Sequence, residues 1–88
     1  MQFMITYELT PATRDVGQAR FKETGGLPPE GVEMQGRWHN LAGHRGFVLA
    51  ETDDAVALAT WMQDWTDVLT FEVNAVANDE QMIEVLGA

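Results

Sequence analysis

Neither cysteine nor serine occurs among the 88 residues. The first absence excludes disulfides, thiolate metal sites and cysteine nucleophiles, and the second excludes every serine-based catalytic triad. Cations are also scarce: Arg14, Arg20, Lys22, Arg37 and Arg45 stand against fourteen acidic side chains, for a formal net charge of -9. Attraction to a polyphosphate backbone comes from clustered cations, so nucleic acid is not an expected partner. The same excess repels anionic membrane surfaces, and no apolar run approaches the roughly 18 residues that span a bilayer. Residues 1–10 carry no basic segment followed by a cleavable apolar stretch. These absences together describe a cytoplasmic protein with no membrane partner.

What is present is an ordinary globular balance, with 45% hydrophobic and 22% charged residues. A chain of this length has room for one core, so residues 1–88 are read as a single domain. Residues 2–9 alternate Phe3, Ile5, Tyr7 and Leu9 against Gln2, Met4, Thr6 and Glu8, the period of a strand with one apolar face. Thr10 then reads as an N-cap with Pro11 at the first helical position, opening a helix over 12–23. TGGLPPEG at 24–31 is a loop by composition, and it lacks the spacing of a phosphate cradle. Strands over 32–39 and 44–51 form a hairpin about a turn at 40–43. Thr52 is expected to cap a helix over 53–65 whose Leu58, Trp61, Met62 and Trp65 share one face. A fourth strand over 68–77 and a short helix capped by Asn78 complete the chain.

The order β-α-β-β-α-β predicts an α+β, ferredoxin-like sandwich. Its four-stranded antiparallel sheet is expected in the order 4-1-3-2, with two helices on one face and a short C-terminal helix besides. The other face of the sheet is left open, and alternation assigns Met4, Val48, Ala50 and Val76 to it. A second copy pairing sheet to sheet would cover that face, so a homodimer is expected.

The stretches GLPPEG at 26–31, GRWH at 36–39, GFVLAETDD at 46–54 and W-x-x-x-W-x-D-x-x-x-F-E-V at 61–73 resemble an uncharacterised family of short bacterial proteins, a domain of unknown function. The resemblance covers nearly the whole chain. It implies membership of the dimeric α+β barrel group, whose branches include cofactor-free quinone-forming monooxygenases, muconolactone isomerases and haem-degrading enzymes. It supplies no catalytic residues to carry over.

With the hairpin turned at 40–43, His39 faces His44 and Arg37 faces Gly46. Glu8 ends the first strand at the same edge, and Glu72 begins the fourth there. Glu8, Arg37, His39, His44 and Glu72 are therefore expected to converge on the open face. Within that cluster His39 and Glu8 are the candidates for proton transfer, and Arg37, His44 and Glu72 the candidates for ligand binding. Arg37 either pairs with Glu72 or Glu8 or anchors a substrate carboxylate or phenolate. Two histidines across a hairpin with a carboxylate suit a divalent ion, but the spacing matches no metal signature, and neither a metal nor a cofactor is assigned. Trp61 and Trp65 are read as core or dimer-contact residues. The leading functional expectation is a dimeric barrel that binds a small apolar or aromatic molecule. The alternatives are a cofactor-independent monooxygenase or isomerase, and a structural or interaction module without catalysis.

Overall fold

A computed structural model describes residues 1–87. The strictly alternating first segment forms β1 (Gln2–Glu8), one of the two inner strands of the sheet, with Ile5 fully buried. β1 is followed by α1 (Arg14–Thr24), the hairpin β2 (Glu33–His39) and β3 (Arg45–Glu51), α2 (Ala55–Gln63), β4 (Thr70–Val76) and α3 (Asp79–Val85). All strand pairs are antiparallel, in the order β2-β3-β1-β4, which is the expected 4-1-3-2 read from the other edge.

Ile5, Val48 and Ala50 from the sheet meet Leu58, Trp61 and Met62 of α2, with Val32 of the preceding loop, in one cluster. The three α2 positions follow the i, i+3, i+4 spacing that puts side chains on one helical face. Val48 and Ala50 are 4% and 0% exposed, which corrects their expected place on the open face. They pair with Ile5 and Phe3 of β1, and partners in an antiparallel register share a face. The open face carries Met4, Thr6 and Glu8 of β1 against Leu49, Phe47 and Arg45 of β3.

Both helix starts differ from the expected ones. The backbone at 10–13 makes a turn first, with Thr13 and Arg14 N–H both donating to the Thr10 carbonyl, so α1 begins at Arg14. α2 is capped by Asp54, whose Oδ1 accepts from Ala57 N–H at 2.9 Å. Thr52 is buried instead, its hydroxyl donating to the Gly31 carbonyl at 2.6 Å and accepting from Asp54 N–H at 2.9 Å. It ties the long loop to the end of β3. α2 also ends two residues early, leaving Trp65 in the turn that leads to β4.

The largest departure lies in the hairpin. The connection spans 40–44, closed by Asn40 N–H donating to the Arg45 carbonyl at 2.7 Å, so His39 pairs with Gly46 and Arg37 with Val48. A register shift between Met34 and Gly36 inserts Gln35 as a bulge. A bulged residue reverses the alternation beyond it. Met34 and Arg37 consequently point to the same side, and Trp38 turns outward, 58% exposed. The chain has no helix, among the described residues, long and apolar enough to cross a membrane.

Candidate functional site

Because the bulge turns them inward, Arg37 and His39 face the helices across from Val48 and Gly46. Tyr7 of β1 pairs with the same Gly46 from the other side. The Tyr7 ring lies across position 46, where an added Cβ would sit 2.0 Å from the ring. Glycine at 46 thus lets Tyr7 reach over a whole strand, and its hydroxyl is hydrogen-bonded to His39 Nδ1. The two rings meet edge-on, with centroids 5.9 Å apart, and Phe21 of α1 closes on the other side of the imidazole at 5.1 Å.

Burial pushes the Tyr7 hydroxyl above its ordinary value, and burial with the nearby Arg37 charge pushes His39 below its own. Both groups are therefore neutral at neutral pH. The hydroxyl donates to Nδ1 in one imidazole tautomer and accepts from it in the other.

The Arg37 guanidinium is half-buried, and its charge is lodged against the end of α1. It donates from one terminal nitrogen to the Gly26 carbonyl at 2.8 Å and from the other to the Gly25 carbonyl at 2.7 Å. Gly26 has φ of 56°, and a Cβ there would meet Arg37 Nη1 at 3.0 Å. Only glycine turns that carbonyl toward the cation while leaving it room. Phe21 stacks on the guanidinium at 4.7 Å, a cation–π contact that favours charge beside an aromatic face.

Together these groups line a cavity of about 230 Å³ between the sheet and the two long helices, with Val48, Trp61, Trp65 and Phe71 among its apolar walls. Trp65 is held by Arg20, which lies over its ring at 5.2 Å and grips Asp67 with two bonds of 2.8 and 2.6 Å.

The sequence model of the family described as Domain of unknown function (DUF3303) matches residues 1–88. The chain belongs to that family. No curated protein matches it. Each of the four stretches that carry the family resemblance lends a residue to the cavity or its frame: Gly26, then Arg37 and His39, then Gly46 and Val48, then Trp61, Trp65 and Phe71.

The expected five-residue cluster separates. Arg37 and His39 lie on the helix side, whereas Glu8 and Glu72 sit on the open side, where Glu8 accepts from Arg45 at 3.0 Å and Glu72 pairs with Thr6. The expected pairing of Arg37 with Glu8 or Glu72 is replaced by the two glycine carbonyls. His44 is exposed in the hairpin connection and does not face His39; its carbonyl accepts from Leu9 N–H at 2.8 Å. Among the described residues no three His, Asp or Glu side chains gather where they could hold a metal ion. The alternation of the first strand placed Tyr7 on its apolar face, but did not connect it to His39. The one available signal was Gly46 in an otherwise bulky strand, a mark of close approach.

Proposed function

We propose that the protein binds a small apolar or aromatic molecule in the cavity between the sheet and the helices. The observation that carries this reading is the setting of the Tyr7–His39 pair and the Arg37 guanidinium in a pocket whose other side chains, Gln18 apart, are aromatic or aliphatic. A few convergent polar groups in an apolar pocket are the usual make-up of a small-molecule site. Titration with single-ring aromatics, followed by backbone and side-chain NMR, tests it: signals of Tyr7, Phe21, Trp61 and Trp65 shift saturably. No response at those residues across the panel overturns the reading.

A catalytic version of the same site is favoured by the neutral Tyr7–His39 pair, which is arranged to move a proton to or from a bound oxygen. In that version the protein is a cofactor-independent monooxygenase or isomerase. Oxygen uptake or turnover with hydroxyquinone-like substrates, abolished by His39→Ala, supports it; turnover unchanged in that variant removes His39 from the chemistry.

We propose as well that the protein works as a homodimer, paired through the open face into a dimeric α+β barrel. Met4, Phe47 and Trp38 are 38%, 40% and 58% exposed on that face. α3 buries none of its residues and leaves Met82, Ile83, Val85 and Leu86 exposed. The radius of gyration is 14.5 Å, against about 12 Å for a compact chain of this length. Light scattering at micromolar concentration tests the pairing: twice the 9.8 kDa chain mass supports it, and the single-chain mass overturns it.

A further inference from the structure

We infer that the ligand of this cavity is an aromatic monoanion, a one-ring carboxylate whose charge is neutralised by Arg37. The inference rests on the cavity being the binding site and adds the class of molecule it takes.

Charge pairing sets Arg37 apart from the other arginines. Arg14, Arg20 and Arg45 are each bonded to a carboxylate, those of Asp15, Asp67 and Glu8. Arg37 is different: among the described residues its hydrogen-bond partners are two neutral backbone carbonyls, in a chain with fourteen acidic residues. A guanidinium carries five N–H donors, and those two bonds leave three of them for another acceptor. A half-buried cation without a counter-charge is costly, and an anion entering beside it recovers that cost.

Every other residue around the cavity is apolar or neutral, the polar ones being Tyr7, Gln18 and His39 besides glycine. Arg37 is thus the single formal charge among the lining residues, which selects one negative charge and disfavours polyanions. The net charge of -9 repels anions from the surface at large, so only an anion that also buries an apolar body is retained.

The size of the cavity agrees with a one-ring ligand. A dry cavity of about 150 Å³ holds benzene. A partly open cavity of about 230 Å³ therefore has room for one ring with a carboxylate attached.

Calorimetric titration of the full chain with benzoate and with benzamide, its neutral isostere, tests the inference. Benzoate is expected to bind about tenfold tighter or more, the range of a charge-assisted contact. Arg37→Met is expected to bind the two probes alike, near the wild-type affinity for benzamide, and Arg37→Lys to keep part of the preference. The wild-type ratio needs no variant and decides the matter if Arg37→Met does not fold. Benzamide binding as tightly as benzoate overturns the charge assignment and leaves the cavity reading standing. Failure of both probes to bind overturns the cavity reading, and this inference with it.

Discussion

Arg37 and Arg45 occupy neighbouring strands of one hairpin and meet opposite fates. Arg45 points to the open face, where Glu8 sits across the β1–β3 register and accepts from it at 3.0 Å with both side chains about half exposed. Arg37 points to the helix face, where its donors meet backbone carbonyls and its neighbours are Phe21, Tyr7 and His39. The open face holds two such matched sets: besides Arg45–Glu8, Gln35 bridges Gln2 and Glu51 at 2.8 and 3.1 Å. The helix face keeps one cation unmatched in a cavity of about 230 Å³. Matched pairs in water are worth little and bind nothing further. An unmatched, partly desolvated cation is what a ligand can complete.

The difference between the faces is open to substitution, and the largest effect belongs to the covered one. Ile5 is fully buried at its centre, so Ile5→Ala is expected to cost about 2–5 kcal/mol, measured by urea unfolding. A loss below about 1 kcal/mol would mean that the helix side is not the folding core.

Next comes Gly46, whose missing side chain leaves room for the Tyr7 ring to cross β3. Gly46→Ala puts a methyl group into the Tyr7 ring and is expected to cost about 1–3 kcal/mol as overpacking. Adding Tyr7→Ala should give back part of that loss, and additive losses in the double variant would show that the two positions do not collide.

A pH effect follows from His39. Burial and the Arg37 charge lower its folded-state value beneath the ordinary 6.5, so on acidification the unfolded chain takes up a proton before the folded chain does. Stability present above pH 6.5 is therefore lost as the pH falls through the folded-state value. Unfolding curves above and below that point should show the decline in the wild type and a flatter profile in His39→Gln. The acid loss tied to Asp67 comes lower, because Arg20 holds that carboxyl below its ordinary 3.8.

The smallest effect is on the open face. Glu8→Gln removes an exposed pair and should change stability by less than about 1 kcal/mol, with binding of benzoate unaltered. Altered binding would return Glu8 to the site.

Much of the architecture was legible from the order and periodicity of the segments. The four-stranded order, the inward set Phe3, Ile5 and Tyr7, and the Asn78 cap of α3, whose side chain accepts from Gln81 N–H, all follow from local pattern. The site was half legible. Arg37 and His39 were singled out by residue type, but a simple alternation from Val32 to Trp38 put them on the wrong face. One bulged residue, Gln35, accounts for that; Gly36 beside it is a local sign of a bulge, masked because Met34, Gly36 and Trp38 keep an apolar-looking period. The five-residue span 40–44 likewise shifted the pairing from His44 to Gly46. Capping by Asp54 in place of Thr52 was a choice between two competent residues two positions apart, decided by the contact Thr52 makes with Gly31.

The measurement that bears most directly on the contrast between the faces is the response of the three tryptophan indole N–H signals to benzoate. Trp61 and Trp65 line the cavity on the helix side, and Trp38 stands on the open side. Saturable shifts of the Trp61 and Trp65 signals with Trp38 unmoved are the predicted result. Movement of Trp38 with Trp61 and Trp65 unchanged would contradict the account and place binding on the open face.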